Sequence, residues 1–268
     1  MTKRILITGA SSGFGQSIAT HLSKQGHSVF GTSRDVADRV TSDSVHMLSM
    51  DVNNSSSIDM AIASMLKSSG GIDVLINNAG FGLCGALEDC SIDEARSQME
   101  TNFFGQIAVI QKVLPHMRAQ GHGRIINIGS LAGDIGLPYQ SMYSASKAAM
   151  QRITEALRLE LKGTGIDLTI IAPGDFRTGF TASRVFAENA LNSEQTSKMR
   201  SVVQQYERDE QSGSDPALVA QLVDKLINKK ALRVLYRVGR ADQRLAHRLK
   251  HWLPSAWFER VLATIYGI

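Results

Sequence analysis

The sequence predicts a doubly wound α/β fold, a parallel sheet of seven strands covered by helices on both faces, with a helical C-terminal extension. Three observations predict it. Through residue 175, short apolar runs alternate with helical patterns. The runs carry Val, Ile and Leu at successive positions, which marks strands buried on both faces. A glycine-rich turn, Gly9 to Gly15, joins the first run to the first helical pattern, as doubly wound sheets require.

The elements follow in order. Arg4–Thr8 reads as the first strand, and a helix follows from Phe14 to Gln25. Ser28–Thr32 and Val45–Met50 read as the second and third strands. Asn54-Ser55-Ser56-Ser57 supplies N-cap candidates for a helix reaching Lys67. Val74–Asn77 is the fourth strand, and Ile92 to Arg118 reads as one helical region. Arg124–Ile128 is the fifth strand, Gln140–Lys162 a long helix, and Asp167–Ile171 a sixth strand stopped by Pro173-Gly174. Residues 178–213 are polar with scattered apolar positions and read as two helices. Pro216–Asn228 reads as a further helix and Ala231–Tyr236 as the seventh strand. No repeat, low-complexity tract or linker marks a second domain, so residues 1–268 are read as one.

Composition excludes several classes. The chain has 268 residues, 43% apolar and 20% charged, which is globular rather than disordered or collagen-like. Two cysteines, Cys84 and Cys90, make neither a disulfide framework nor a zinc site, and no metal is expected. No stretch of about 18 apolar residues calls for a spanning helix. The apolar run near the start stops after Ile5-Leu6-Ile7, so no secretory signal is read and a cytoplasmic location is expected. The net charge is +4, but residues 225–268 hold 10 Lys/Arg against 2 Asp/Glu, a net +8. The rest is mildly acidic. A nucleic-acid partner would need a basic body, so none is expected.

Thr8-Gly9-Ala10-Ser11-Ser12-Gly13-Phe14-Gly15 falls between the first strand and first helix. Glycines there let backbone N–H groups approach a pyrophosphate, and the helix start adds partial positive charge. The spacing is G-x3-G-x-G. The alternative is a tight strand-to-helix turn with no ligand. The second strand runs into Ser33-Arg34, with no acid at the position that would bond a ribose 2′-OH. An Arg there can pair with a 2′-phosphate. This predicts NADP(H) rather than NAD(H); the plain alternative is a surface Arg34 beside Asp35.

Tyr143 and Lys147 stand four apart in the long predicted helix and share a face. An adjacent ammonium would lower the pKa of the phenol and suit it to acid/base work. Ser130 closes the fifth strand, so it faces the same crevice as the glycine turn, where its hydroxyl can polarise a carbonyl. An isolated serine there would be a turn or cap residue. Asn77-Asn78-Ala79-Gly80 closes the fourth strand. Asn102 is a polar residue in an apolar helix, ordinarily a core amide bonded to backbone.

Together these motifs resemble the classical branch of the short-chain dehydrogenase/reductase family, whose domain is a Rossmann fold. The matching residues are Thr8-Gly9-x3-Gly13-x-Gly15, Asp51-Val52, Asn77-Asn78-Ala79-Gly80, Asn102, Ser130, Tyr143-x3-Lys147 and Pro173-Gly174. They span about residues 3–178. The resemblance implies a carbonyl–alcohol oxidoreductase. It implies Tyr143 as general acid/base, Lys147 lowering its pKa and bonding the nicotinamide ribose, Ser130 orienting the carbonyl, and Asn102 holding a water behind Lys147. For the cofactor it implies Gly9, Ser11, Ser12, Gly13, Phe14, Gly15, Ser33, Arg34, Asp51, Val52, Asn78, Ala79, Gly80, Pro173, Gly174 and Thr178. Asp51 would bond the adenine amino group, Asn78 and Gly80 would border the adenine ribose, and Thr178 would reach the carboxamide. Phe14 departs from the smaller aliphatic residue usual there. Asp175 and Arg177 depart from the usual apolar surroundings of the carboxamide and are expected to pair.

Ser130, Leu137 and Tyr143 are the expected substrate contacts, with Leu131, Tyr139, Phe176 and Phe180 as apolar neighbours and 178–213 as the substrate loop. No cluster of Arg or Lys is placed to read a carboxylate or phosphate. An apolar ketone or aldehyde of steroid, retinoid or lipid shape is expected. The alternatives are an NAD-dependent alcohol dehydrogenase, a cofactor-binding sensor with little catalysis, and, less fitting to the glycine spacing, a nucleotide-sugar epimerase. A homodimer or homotetramer is implied by the resemblance. In the basic tail, 237–268, Ala241, Leu245, Leu249 and Trp252 recur at helical spacing among Arg240, Arg244, Arg248 and Lys250. Trp252, Leu253, Trp257, Phe258 and Tyr266 add an aromatic end. A cover on the substrate side is expected, with a subunit interface or a peripheral contact with anionic lipid as alternatives.

Overall fold

The computed structural model describes residues 2–250 and 252–268, except the side chains of Arg244, Ala246, His247, Arg248 and Leu249. Three positions of the tail stripe, Arg244, Arg248 and Leu249, therefore lie outside the described side chains.

Seven strands run parallel: β1 (Arg4–Ile7), β2 (Ser28–Ser33), β4 (His46–Ser49), β5 (Val74–Asn77), β7 (Gly123–Ile128), β8 (Ile166–Pro173) and β10 (Leu235–Val238). An eighth, β3 (Arg39–Val40), adds antiparallel to the edge, giving the order β10-β8-β7-β5-β1-β2-β4-β3. The seventh parallel strand is shifted along the chain from the expected Ala231–Tyr236. Its register is set by β8, which pairs Leu235 with Ile170 and Val238 with Pro173. A separate two-stranded pair, β6 (Leu83–Cys84) with β9 (Val185–Phe186), has no counterpart in the sequence reading. Two-residue strands carry too little periodicity to be read.

Alternation along the strands assigns the two faces. Ile5, Ile7, Val74, Ile76, Ile126 and Ile128 point to one side. There α1 (Gly13–Lys24) and α7 (Ala217–Ile227) cover them with Ile18, Leu22, Val219 and Val223. Leu6, Leu75 and Ile125 point to the other side, under α2 (Ser55–Ser69) and α4 (Gly105–Gln120). Asn54 caps α2, its side chain accepting from Ser57 N at 3.0 Å. α5 (Ser141–Glu160) lies on this second side too, with Leu157 against the core.

The region read as one helix, Ile92 to Arg118, is α3 (Ile92–Met99), a π-helical turn (Glu100–Phe104) and α4. Such wide turns are rare inside helices and cluster at functional sites. Residues 178–213 form β9, a short 3₁₀ turn and a single long helix, α6 (Thr196–Gln211), rather than two helices. The tail forms α8 (Ala241–Lys250) and α9 (Ser255–Tyr266). Among the described residues, no helix is long and apolar enough to cross a membrane, and no three His, Cys, Asp or Glu stand together as a metal site.

Candidate active site

Strand order reverses at β1, which pairs with β2 on one side and β5 on the other. Ligands bind outside the carboxyl ends of strands at such a switch point. The glycine turn is built there. Thr8 N donates to Ile76 O at 3.0 Å, and the Thr8 hydroxyl accepts from Asn78 N and Ala79 N, each at 2.9 Å. The Asn78 amide donates to Thr8 O at 3.0 Å and Gly9 O at 2.9 Å, so its side chain clamps the turn. A Cβ on Gly15 would lie 2.1 Å from Gly9 O, so only glycine lets α1 start this close. Gly13 has φ +55, and its nearest neighbour would be Thr178 Cβ at 3.9 Å, so it faces space rather than packing. Ser12 makes no side-chain cap, which leaves the first N–H groups of α1 to an outside acceptor. A cleft of about 1090 Å³ runs between α1, α6 and α7; Gly13 and Thr178 line it, but Ser130, Tyr143 and Lys147 do not. An uncapped helix start facing space fits a pyrophosphate.

The other cofactor candidates line the same edge. Ser11 and Ser12 are exposed beside the turn. Phe14 meets Phe176 edge-on at 5.2 Å between centroids. Phe176 is 3% exposed and packs with the core. Ser33 is half-buried and Arg34 exposed at the end of β2, and Arg34 makes no ion pair with Asp35. Asp51 follows β4, its carboxylate accepting from Asn53 N at 2.9 Å, and Val52 is buried. Gly80 faces Asn102; a Cβ there would lie 2.9 Å from Asn102 Oδ1. Pro173 ends β8, and Gly174 N donates to Val238 O at 2.9 Å.

Ser130, Tyr143 and Lys147 come together between β7 and α5. Ser130 follows β7, its hydroxyl accepts from Ala132 N at 3.0 Å, and its presence beside the Tyr143 phenol favours the phenolate. Lys147 Nζ donates to Ile128 O at 3.0 Å and lies 5.8 Å from the Tyr143 ring centre. Both side chains are buried. Burial pushes the Tyr143 phenol up to about 12, a rise that Ser130 only partly offsets. Burial pulls the Lys147 ammonium down to about 8. Asn102 is buried in the π turn. Its Oδ1 accepts from Phe81 N and its Nδ2 donates to Phe81 O, both at 2.9 Å, with Ser146 Oγ at 3.3 Å.

The loop after β8 covers this set. Phe180 lies over Tyr143 with centroids 5.5 Å apart. Arg184 sits 5.9 Å from the Phe180 ring centre and bonds Glu210 of α6 at 2.6 Å. The sequence reading missed Arg184 and Glu210. A lone arginine in a polar stretch carries no pattern, and its partner is 26 residues away. Asp175 pairs not with Arg177 but with Gln243 of α8, which donates to its carboxylate and accepts from Asp175 N at 3.2 Å. Burial, with Asp209 and Glu210 near, pushes Asp175 up to about 6. Leu137 is half-buried, donates its N–H to Ser144 Oγ at 3.1 Å, and lines a groove of about 700 Å³ against α9. Tyr139 packs with Leu83 and Met142, and Leu131 is buried. Cys84 is buried and its thiol pushed up to about 12, which leaves it protonated.

Residues 3–189 match the short chain dehydrogenase family. The chain belongs to the short-chain dehydrogenase/reductase family. It is 41% identical over 265 residues, 98% of each chain, to a 3-ketodihydrosphingosine reductase of Bacteroides thetaiotaomicron. A solved short-chain dehydrogenase from Streptomyces avermitilis superposes with a TM-score of 0.84 at 31% identity, over 98% of this chain and 97% of that one. A short-chain dehydrogenase/reductase from Burkholderia phymatum, solved in complex with NAD, superposes at 0.81 with 25% identity over 94% of each chain. The chain is thus an oxidoreductase of a family that binds a nicotinamide cofactor and acts on small molecules.

Proposed function

We propose that this oxidoreductase uses NADPH to reduce the ketone of a long-chain lipid of the 3-ketodihydrosphingosine type. The observation that carries it is a phenol, a hydroxyl and an ammonium brought together between β7 and α5, in a chain matched over 98% of its length by a reductase of that lipid. The lipid option of the three shapes is favoured, and the steroid and retinoid options have no comparable support.

When bound, the cofactor supplies the hydride. Tyr143, held neutral by burial at pH 7, donates its proton to the ketone oxygen. Ser130 donates a hydrogen bond to that oxygen and orients it. Lys147 keeps a positive charge behind the phenol and reaches toward the cofactor ribose. Asn102, clamped to Phe81, acts as a positioning residue for the proton path behind Lys147. The exposed, unpaired Arg34 and neighbouring Ser33 would take a 2′-phosphate, which supports NADPH over NADH.

The test is NADPH consumption with 3-ketodihydrosphingosine, alongside thermal shifts with matched NADPH and NADH. Turnover with a larger NADPH shift is expected. Arg34→Ala should weaken NADPH binding about tenfold or more and leave NADH unchanged, a difference of about 1.4 kcal/mol. An equal NADH shift in the parent protein would refute the phosphate site. Turnover of short ketones but not of the lipid would refute the substrate.

A further inference from the structure

Three contacts hold Phe180 over Tyr143. Its ring centre lies 5.5 Å from that of Tyr143. The tip of the ring lies on the Gly82 backbone, where a Cβ would stand 2.7 Å from Phe180 Cζ. The Arg184 guanidinium lies 5.9 Å from the ring centre. The turn that carries the ring is tight, with Ser183 N donating to Gly179 O and Phe180 O, each at 3.1 Å. Two residues of this turn reach the same partner on α6. The Thr181 hydroxyl donates to Glu210 Oε2, and Arg184 Nη2 donates to Glu210 Oε1 at 2.6 Å. One carboxylate thus takes both bonds, and the turn cannot swing without breaking them. The pair is little screened by water, since the Arg184 side chain is 1% exposed and that of Glu210 14%. Arg184 Nε and Nη1 are buried without a hydrogen-bond partner, and Glu207 stands 3.9 Å from Nη1. The guanidinium therefore depends on Glu210.

We propose that Glu210 is a positioning residue for the phenol: through Thr181 and Arg184 it keeps Phe180 against Tyr143 and keeps water off it. The proposal rests on Tyr143 as the proton donor of the reduction. Both Glu210 oxygens are taken within the loop, so Glu210 acts through these partners and not on the substrate. Burial is the largest cause that pushes Tyr143 up to about 12, and the Phe180 ring is part of that burial. Without the ring, water reaches the phenol, hydration favours the phenolate, and solvent competes for the proton meant for the ketone oxygen.

Tetranitromethane nitrates a phenolate it can reach, and peptide mass spectrometry of the treated full chain reads each of the five tyrosines separately. Tyr143 is expected to be protected in the parent and nitrated several-fold faster after Glu210→Gln, with half-buried Tyr236 of β10 unchanged. Thr181→Val removes one of the two bonds and leaves the Glu210 charge in place; it should speed nitration of Tyr143 by less. Phe180→Ala should match Glu210→Gln, and the double variant should add nothing, because both remove the same cover. In NADPH turnover the two single variants should lower kcat by a similar factor, and the double variant by no more. Unchanged nitration of Tyr143 in Glu210→Gln overturns the proposal. Additive effects, with Thr181→Val silent, assign the result to the charge of Glu210 acting directly on the phenol and also overturn it. Faster nitration of Tyr236 with a lower melting temperature assigns Glu210 to the fold as a whole and overturns it too. Nitration needs neither cofactor nor substrate, so its failure is separate from failure of the proposed reduction.

Discussion

Tyr143 and Lys147 are shifted in opposite senses by the same cause. Desolvation disfavours a phenolate and an ammonium alike, so it pushes the first up to about 12 and the second down to about 8. Tyr143→Phe keeps the ring against Phe180 and removes only the proton donor. It should lower kcat by about 10²–10⁴ with an unchanged melting temperature, checked by NADPH consumption and calorimetry. Asp175 offers a test through stability. Its carboxyl is favoured protonated in the fold, at about 6 against 3.8 for the free group. Its contribution is therefore full below about pH 4 and lost as pH rises through 6. Asp175→Asn should stabilise by about 1–2 kcal/mol at pH 7.5 and by nothing near pH 4, measured as melting temperatures at both. The positions of Ser130, Tyr143 and Lys147 were readable because the first closes a strand and the other two share a helix face. Arg184, Glu210 and Gln243 were not, since each acts through a partner brought by folding.

At the scale of elements, the amino ends of three strands are tied by one buried carboxylate. Asp73, just before β5, accepts from Arg4 N at 2.8 Å, Arg4 Nε at 3.0 Å and Arg4 Nη2 at 2.6 Å, and pairs with His122 beside β7 at 3.1 Å. The Arg4 bonds hold its carboxyl well below the usual range despite burial. Asp73→Asn leaves a partly buried guanidinium without its charge partner. A loss of about 3 kcal/mol is expected in urea unfolding at pH 7. Because the folded carboxyl titrates below the unfolded one, that stabilisation is present above pH 4 and fades as pH falls. Strands and long helices were legible here because Ile, Val and Leu alternate faces and Asn54 marks a helix start. β3, β6 and β9 were not, because two residues have no period. The π turn was hidden because a change in hydrogen-bond step leaves the apolar pattern of α4 intact.

Across the whole molecule, the tail is joined to the site rather than appended to it. Gln243 holds Asp175, Lys250 donates to Asp134 O, and Tyr266 meets Tyr206 edge-on, and the Tyr206 hydroxyl donates to Pro138 O at 3.0 Å. These contacts join the tail to the loops after β7 and β8 and to α6. Removing residues 255–268 frees Tyr206 and the outer side of α6. It should raise KM several-fold more than it lowers kcat, and lower the melting temperature by about 2–4 °C per kcal/mol lost. Steady-state kinetics of the truncated chain checks it; a fall in kcat alone would place the tail's effect on chemistry instead.

The sequence by itself determined the run of parallel strands along the chain, the glycine turn after the first of them and the candidate set Ser130, Tyr143 and Lys147. Each depends on local spacing, and spacing along a chain survives without knowledge of the fold. Only the tertiary structure decided the rest. It moved Phe176 into the core, gave Asp175 to Gln243 rather than Arg177, and laid Phe180 over Tyr143. It also turned Trp257, Val261 and Ile265 outward while Phe258 turned in. Those outcomes depend on burial and on contacts between distant segments. Burial sets the protonation of Tyr143, Lys147 and Asp175, and no one-dimensional pattern records which surfaces a fold will cover.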